Sequence, residues 1–251
     1  MILFERCEYQ EIQNEVEQYY VGKDILIDSF VEEHIKDSNY YIIKKHEEVI
    51  GFASIFKGYL ISMFHIQDQY TKYAQAAFLE LKHLEEVREA FAPTGDEQLV
   101  SVCMDSFKMV EIQAYFTKDV YSKGSGDIQL RLASLEDKHI VETYHDGFFE
   151  NVEKCIVSNS IYIAYQDQEV VGFGNYELGW IRKDYVSIGM FTRPEYRRKG
   201  IGTKILCGLK EMGRQEGRCV VAGCWYYNHN SIKTQFACGN ACSSRLLKFH
   251  F

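Results

Sequence analysis

The chain has almost no proline: only Pro93 and Pro194 occur among its 251 residues. It also lacks an apolar run long enough to span a bilayer, and its N-terminus has no basic segment followed by a long apolar core. Neither a transmembrane helix nor a signal peptide is therefore predicted, and the expected location is the cytoplasm. Low-complexity tracts and heptad repeats are absent as well, so the chain is treated as globular.

An excess of basic residues is missing too, since 28 lysines and arginines stand against 36 aspartates and glutamates, for a formal charge of −8. General nucleic-acid binding needs a basic surface, so it is not expected. The acidic balance is compatible with a cationic substrate, although it is also ordinary for a soluble protein. An apolar fraction of 46% is enough for the core of one large domain or two small ones.

No Cys-x-x-Cys motif occurs among the eight cysteines. Cys238 and Cys242 are four residues apart but have no matching pair of histidines, so no metal site is predicted. Most cysteines, such as Cys207, lie in apolar segments, and we expect reduced and buried thiols.

A single cluster of glycine and serine, at residues 122–127, divides the chain nearly in half. We predict a first unit over residues 1–122, a linker over 123–127 and a second unit over 128–251.

The two halves resemble each other. Residues 39–52 align without a gap on residues 160–173, and both segments predict a β-hairpin that ends in Glu-Val-x-Gly-Phe. Matching order and spacing favour a duplication. The alternative is that two unrelated hairpins obey the same strand chemistry.

The most informative segment is a basic, glycine-containing turn at residues 192–203, between a predicted strand (185–191) and a predicted helix (203–215). Glycine lets the backbone approach a ligand, and a helix N-terminus offers unpaired N–H groups to an anion, so the turn is suited to a diphosphate. The spacing Arg-x-x-Gly-x-Gly is neither a dinucleotide fingerprint nor a P-loop. A plain helix start with solvated charges is the alternative.

The first half has a counterpart of this turn at residues 69–76, but alanines stand at 74 and 76 where the second half has Gly200 and Gly202. A Cβ at these positions would keep a phosphate away from the backbone. We therefore expect only the second half to bind one.

The remaining pattern of the second half predicts a mixed α/β, or α+β, unit with a mainly antiparallel sheet flanked by helices. Helices are expected within 135–159, broken near Gly147, and at 228–238. Strands are expected at 130–132, 161–166, 169–177, 218–226 and 244–251.

This order of elements, together with Arg-x-x-Gly-x-Gly and the later Asn-x-x-Ser, resembles the GNAT superfamily of acyl-CoA-dependent N-acetyltransferases. Residues 128–251 resemble a whole GNAT domain, and residues 1–122 resemble a degenerate, shortened one. The length and two-part form are similar to the bacterial GNAT family that includes the zwittermicin A resistance acetyltransferase.

The resemblance implies acetyl-CoA as cofactor, with the turn around its diphosphate and the preceding strand beside its pantetheine arm. Lys199 and Lys204 would supply charge to the phosphates, and Gly189 would sit in a strand bulge. Asn228 would bond the pantetheine, or act only as a helix cap. The implied cofactor-binding residues are Met190, Phe191, Thr192, Arg197, Arg198, Lys199, Gly200, Ile201, Gly202, Thr203, Asn228 and Ser231.

The sequence departs from the family at both positions that usually carry proton chemistry. Gln235 stands where many GNAT enzymes have a tyrosine acid, and Ser187 stands where many have a glutamate. Glu177 and His229 are the substitute catalytic candidates. The alternatives are an exposed strand-end glutamate and a surface histidine.

Tyr226 and Tyr227 are further sources of a hydroxyl group, while Trp180 and Trp225 line a pocket or pack the sheet, with packing favoured for Trp225. The function expected from the resemblance is transfer of an acetyl group from acetyl-CoA to the primary amine of a small molecule, with neither nucleic acid nor membrane as partner and the oligomeric state left open. A non-catalytic acyl-CoA-binding regulator and an aminoacyl transferase of the tandem-GNAT type are the alternatives.

Overall fold

A computed structural model describes residues 1–84, 86–121 and 123–251. The chain forms two compact units. The first unit comprises Met1–Tyr115, Trp180–Arg182 and Ser244–Phe251, and the second comprises Phe116–Gly179 and Lys183–Ser243. Ser122, the last residue of the predicted first half, lies outside the described residues.

Twelve strands and eight α-helices are found in the described residues. The strands are β1 (Ile2–Cys7), β2 (Ser38–Lys45), β3 (Glu48–Phe56), β4 (Leu60–Ile66), β5 (Glu89–Pro93), β6 (Met109–Asp119), β7 (Gln129–Leu132), β8 (Ile161–Gln166), β9 (Glu169–Leu178), β10 (Tyr185–Thr192), β11 (Cys219–Trp225) and β12 (Asn240–His250). The helices are α1 (Tyr9–Gly22), α2 (Ser29–Lys36), α3 (Ala74–Lys82), α4 (Glu97–Met104), α5 (Lys138–Tyr144), α6 (Val152–Val157), α7 (Ile201–Gln215) and α8 (His229–Ala237).

In the second unit the strands follow the order β11-β10-β9-β8-β7. β10 pairs with β11 in parallel, and the other pairs are antiparallel. One face of this sheet packs on α7, because Val186 and Ile188 share a core with Leu209. The opposite face packs on α5 and α6, where Phe173 meets Val141. The predicted mixed α/β unit with a mainly antiparallel sheet is confirmed.

The first unit repeats this plan. Its strands follow the order β1-β2-β3-β4-β5-β12, in which β4 and β5 pair in parallel. Residues Leu246 to His250 of β12 pair antiparallel with Glu89 to Pro93 of β5. This pairing draws the last strand of the chain into the first unit, so the compact units differ there from the predicted linear halves.

A buried carboxylate explains the other departure from the linear halves. Glu32 in α2 is 6% exposed, and its oxygens accept the backbone N–H groups of Trp180 at 2.6 Å, Ile181 at 2.9 Å and Arg182 at 3.0 Å. The Trp180 ring lies 4.2 Å from that of Tyr9 between centroids. Trp180 therefore packs within the first unit.

The duplication is visible in strand register. The β2–β3 pairing shifts after Ile43, which faces Gly51, and the β8–β9 pairing shifts after Ala164, which faces Gly172. These are equivalent positions in the sequence alignment of the halves. A Cβ on Gly51 would come within 2.0 Å of the His65 carbonyl oxygen, and one on Gly172 within 2.2 Å of the Phe191 oxygen. A shared bulge beside a shared close approach of backbones supports a common origin.

Two helix or strand boundaries differ from the sequence prediction by two or more residues. Helix α7 begins at Ile201, two residues before the predicted start, because the left-handed Gly200 is its N-cap. Strand β12 begins at Asn240, since the left-handed Gly239 ends the turn after α8 and the strand follows at once. Within the described part of the chain, none of the helices has both the length and the apolar character needed to cross a bilayer.

Candidate cofactor site

A cleft opens in the second unit where two parallel strands part. β10 pairs with β11 only from Tyr185 to Ser187, opposite Cys219 to Val221. From Ile188 to Thr192 the described pairing of β10 is with β9 alone. Backbone groups on the other edge of this segment are left for a ligand, as at the edge of any sheet. The cleft has a volume of about 850 Å³.

The turn after β10 brings a helix N-terminus to this cleft. Arg198 has φ 62° and Gly200 has φ 78°, so two left-handed residues reverse the chain before α7. The N–H groups of Ile201, Gly202 and Thr203 fall in the first helical turn, where no intrahelical carbonyl is available to them. A Cβ on Gly200 would have no neighbour within 4 Å, so this side of the turn is open. The arrangement suits an anionic group.

Gly202 brings α7 close to β10. A Cβ there would lie 3.1 Å from both the Met190 sulfur and the Thr192 hydroxyl oxygen, and 3.3 Å from a methyl carbon of Thr234. Any side chain at this position would push the helix away from the strand and widen the cradle.

The arginines near the turn have different tasks. Arg197 donates from Nε to the Thr192 carbonyl oxygen at 3.1 Å, which folds the turn back onto β10. Arg193 donates to the Val170 carbonyl oxygen at 2.6 Å, pairs with Glu195 and lies 3.9 Å from the ring centroid of Tyr144. Arg193 is therefore structural, while Arg197 positions the turn.

The lysines near the turn do not line the cleft. Lys204 donates to Asp127 at 2.5 Å, and this hydrogen bond lowers the pKa of the Asp127 carboxyl. The ammonium group of Lys204 is held by Asp127, and Lys204 is not among the residues that line the cleft. Lys199 lies with its Nζ 5.4 Å from the ring centroid of Tyr196.

Helix α8 supplies the wall across from the turn. The Asn228 side chain caps it by accepting the Ser231 N–H at 3.1 Å, and both residues line the cleft. Asn228 is thus a helix cap, and the cap places it beside the cleft.

The structure brings nearly all of the predicted cofactor residues together. Those that line the cleft are Met190, Phe191, Thr192, Arg197, Arg198, Gly200, Ile201, Gly202, Thr203, Asn228 and Ser231.

Gln235, at the position of the family's tyrosine, faces the cleft but is committed to a buried network. It is 3% exposed, and its Oε1 lies 2.8 Å from the Thr117 hydroxyl oxygen. Its Nε2 lies 3.4 Å from both the Ser231 hydroxyl oxygen and the Gly223 carbonyl oxygen. A carboxamide has no titrating proton, so Gln235 shapes the cleft without acid chemistry.

The two catalytic candidates do not lie among the lining residues. Glu177 pairs across the sheet with Ser187, at the end of β10 that is still closed by β11. His229 is the first, exposed residue of α8 and is not a lining residue, although Asn228 and Ser231 are. Tyr226 and Tyr227 are not among the lining residues either.

Two further expectations are corrected. Trp225 lines the cleft and is 57% exposed, so the packing role favoured for it is wrong. The pairing of β10 with β9 runs from Val186 to Thr192 without a register shift, so Gly189 is not in a bulge of that pair. The strands part because pairing with β11 stops, not because β10 bulges.

Sequence reasoning missed several lining residues. Thr234 and Gln235 follow Ser231 by three and four positions in α8, which is a detectable helical signal. Gly223 and Cys224 lie in β11 and Phe148 in the connection between α5 and α6, all brought in by tertiary structure. Lys233 adds a cation to the wall.

The corresponding turn of the first unit is built differently. A 3-10 turn over Asp68–Tyr73 runs directly into α3, and Ala74 has helical φ −59°. Its N–H donates to the Thr71 carbonyl oxygen. The helix is continuous here, so the N–H of Ala74 is bonded, whereas the N–H groups that follow Gly200 are open.

Comparison with known proteins agrees with this geometry. Residues 8–120 match a model described as an acetyltransferase (GNAT) domain, and residues 129–235 match the acetyltransferase (GNAT) family model. A sequence comparison with curated proteins finds no match.

Solved structures share the fold at low sequence identity. A GNAT-family acetyltransferase from Colwellia psychrerythraea has a TM-score of 0.89 and 15% identity, with 100% of this chain and 99% of that chain covered. A GCN5-related N-acetyltransferase from Sphaerobacter thermophilus has a TM-score of 0.65 and 10% identity, covering 100% and 95%. A tandem GNAT protein from the clavulanic acid biosynthesis pathway has a TM-score of 0.61 and 12% identity, covering 99% and 98%. With a GNAT model matched in each half and the same fold over the full length, the chain belongs to the GNAT acetyltransferase superfamily as a tandem GNAT protein.

Proposed function

We propose that this protein transfers an acetyl group from acetyl-CoA to the primary amine of a small molecule, and that the second unit holds the cofactor. The observation that carries the proposal is the cleft between β10 and β11, with the open N-terminus of α7 at one end. Membership of the GNAT superfamily supports acyl transfer in general.

The residues of the cleft fit coenzyme A at two places. The first-turn N–H groups of Ile201, Gly202 and Thr203 would hold its diphosphate, since they are unpaired and lie at the positive end of the helix dipole. The free edge of β10 around Met190 would pair with the amide groups of its pantetheine arm, as an added strand does.

When bound, acetyl-CoA supplies an acyl thioester whose thiolate is a good leaving group. The protein then has two remaining tasks: to hold the amine and the thioester together, and to remove a proton from the amine. Orientation alone is worth on the order of 7–11 kcal/mol in favourable cases.

Glu177 is our candidate for the base. Directly opposed residues of an antiparallel pair have Cβ atoms about 5 Å apart. Glu177 is opposed to Ser187, so its carboxylate reaches the space that a glutamate at position 187 would use. The glutamate that many GNAT enzymes have at the position of Ser187 in β10 is absent here. Glu177 on the neighbouring strand β9 supplies a carboxylate in its place. His229 remains a weaker candidate: like Glu177 it is absent from the cleft lining, and it has no cross-strand relation to position 187.

One observation favours the alternative of a non-catalytic acyl-CoA binder. Gln235 is buried and hydrogen-bonded where an acid is usual, so the leaving thiolate has no partner there that could protonate it. A thiolate needs little help to leave at neutral pH, and for this reason we place transfer first.

Calorimetric titration of acetyl-CoA tests the cofactor assignment. Gly200→Trp should abolish binding by filling the cradle. Gly217→Trp is the matched control, because Gly217 also has positive φ (69°) and open space around it but lies at the other end of α7. We expect micromolar binding by the wild type and the control and none by Gly200→Trp. Absence of binding by the wild type would contradict the proposal.

Release of CoA thiol then separates the two functions. The wild type should release thiol from acetyl-CoA in the presence of a small primary amine such as n-propylamine. Binding of acetyl-CoA without amine-dependent release across a panel of aliphatic, aromatic and amino-sugar amines would favour the non-catalytic binder.

A further inference from the structure

Asn175, in the middle of β9, carries an unpaired polar atom beside the cleft. Its Oδ1 is buried and has no hydrogen-bond partner among the described residues. Buried polar side-chain atoms are nearly always bonded, so an unpaired one next to a binding cleft calls for a ligand donor.

The surroundings of Asn175 connect it to the cleft. It pairs across the sheet with Gly189, and a Cβ built on Gly189 would lie 3.5 Å from the Asn175 Cβ and 3.6 Å from Cζ of Phe148. Both Gly189 and Phe148 line the cleft. The missing side chain at Gly189 therefore leaves a narrow space between the Asn175 amide and the Phe148 ring.

This space lies on the face of the sheet opposite the cofactor cradle. Ile188 packs toward α7, so its neighbour Gly189 faces the other way, as does Phe191. With the diphosphate held at the N-terminus of α7, an acceptor would reach the thioester from the face on which α5, α6 and their connection lie. Glu177 lies on that same face of β9, two residues beyond Asn175.

The entrance to the space has a movable side. Phe148 follows two left-handed residues, Asp146 (φ 49°) and Gly147 (φ 74°), in the connection between α5 and α6. Its ring is 41% exposed and packs edge-on against Phe149. The ring also lies 5.8 Å from that of Phe191 between centroids, and its exposed side leaves it able to turn outward to admit a slender ligand.

We infer that Asn175 Oδ1 binds the ammonium group of the acceptor, and that the acceptor is an unbranched aliphatic primary amine. This inference rests on the proposed function and specifies its acceptor. An ammonium group has three N–H donors, of which one pairs with Asn175 and a second faces Glu177. The space over Gly189 is narrow, since a Cβ there would already meet Asn175 at 3.5 Å and Phe148 at 3.6 Å, and it therefore favours an unbranched methylene chain.

The direct test uses protein labelled with ¹⁵N-asparagine and saturated with CoA. The side-chain amide signal of Asn175 is the one missing from the Asn175→Asp spectrum. Addition of n-propylammonium chloride should shift this signal in a saturable manner, and 1-propanol, a neutral molecule of the same length, should not. A signal that does not respond to the ammonium ion overturns the inference. CoA saturation is measured beforehand by calorimetry, so failure of the cofactor site shows itself separately.

Steady-state kinetics give the second test. Asn175→Leu, similar in volume, should raise KM for n-propylamine at least tenfold and change kcat less than threefold, with the affinity for acetyl-CoA unchanged. Gly189→Ala should do the same, because its methyl group makes ordinary contacts with Asn175 and Phe148 but fills the space. Asn14→Leu, on the exposed side of α1, is the control for the substitution itself. An unchanged KM in both variants would contradict the assignment of Asn175 as the residue that binds the ammonium group.

The stability of Asn175→Leu separates a binding role from a structural one. Since Oδ1 has no partner in the fold, removing the amide should leave the melting temperature at or above that of the wild type. A marked fall in melting temperature together with an unchanged KM would show that Asn175 serves the fold instead.

Discussion

The side-chain amide of Gln98 bonds both backbone polar groups of Ile66: Oε1 accepts the Ile66 N–H at 2.6 Å, and Nε2 donates to the Ile66 carbonyl oxygen at 2.8 Å. Ile66 faces Gly51 in the first unit as Thr192 faces Gly172 in the second. In the first unit a side-chain amide therefore occupies the strand edge that we assign to the pantetheine amides in the second.

We predict that Gln98→Ala destabilises the protein by roughly 1–3 kcal/mol, because it leaves a buried N–H and a buried carbonyl unpaired. Denaturant unfolding measures the change. Gln75→Ala is the control, since Gln75 and Gln98 line one surface pocket, but the Gln75 side chain is exposed and makes no hydrogen bond among the described residues.

The stoichiometry of CoA should stay at one per chain in the wild type and in Gln98→Ala. Removing the amide frees the strand edge, yet the continuous helical turn at Ala74 still offers no anion cradle. A calorimetric stoichiometry of two in either protein would show that this comparison of the halves is mistaken.

A second prediction concerns the buried Asp96 at the N-cap of α4. It is 1% exposed, and its Oδ1 accepts the Tyr19 hydroxyl at 2.6 Å and the Leu99 N–H at 3.0 Å. Burial raises the pKa of this carboxyl from 3.8 to about 6, although both hydrogen bonds act in the opposite direction. Since the native state keeps the proton to higher pH than the unfolded chain, stability from this group is complete below pH 3.8 and is lost as the pH rises through about 6.

Asp96→Asn should abolish this dependence, because a neutral amide oxygen can accept both hydrogen bonds. The variant should match the wild type near pH 4 and exceed its stability by about 3 kcal/mol at pH 7. The pKa of His65 is lowered to about 4 by burial, and its titration affects both proteins equally. Melting temperatures compared across this pH range check the prediction, and a difference independent of pH would contradict it.

A third prediction separates the geometry of the turn from its charge. Arg197→Lys keeps the cation but loses the Nε donor to the Thr192 carbonyl oxygen. Because Arg197 is exposed, the fold should be unaffected. We expect the Kd for acetyl-CoA to rise about tenfold, which corresponds to about 1.4 kcal/mol. Equal Kd values in the wild type and Arg197→Lys would leave Arg197 with a purely electrostatic role.

The parts that sequence predicts well are local. The turn at residues 192–203, the helix after it and the capping role of Asn228 depend on neighbours within a few residues, so glycine and polar spacing were sufficient. The Gln98–Ile66 bonds, the clamp of Glu32 on Trp180 and the position of Phe148 join residues far apart in the chain. These could not be predicted from spacing, because they depend on how helices and strands pack.

The catalytic candidates show the same limit. Glu177 was identified as a strand-end carboxylate, but its relation to Ser187 is a cross-strand pairing that only register establishes. A one-residue slip would have placed Glu177 on the opposite face. The sequence offers the carboxylate, while tertiary structure decides what it faces.

That pairing yields the last prediction. If Glu177 acts as base, Glu177→Gln should lower kcat/KM for n-propylamine by about 10²–10⁴-fold at neutral pH, the usual contribution of general base catalysis, without changing the affinity for acetyl-CoA. The double variant Glu177→Ser with Ser187→Glu exchanges the two side chains across the pair and returns a carboxylate to nearly the same space. The double variant should have a kcat/KM at least tenfold higher than that of Glu177→Gln. Ser187→Glu alone, with two carboxylates opposed, is the control for crowding in the sheet. If acetyl-CoA binds to all four proteins and Glu177→Gln retains full activity, the base lies elsewhere or the amine reacts without one, by orientation alone.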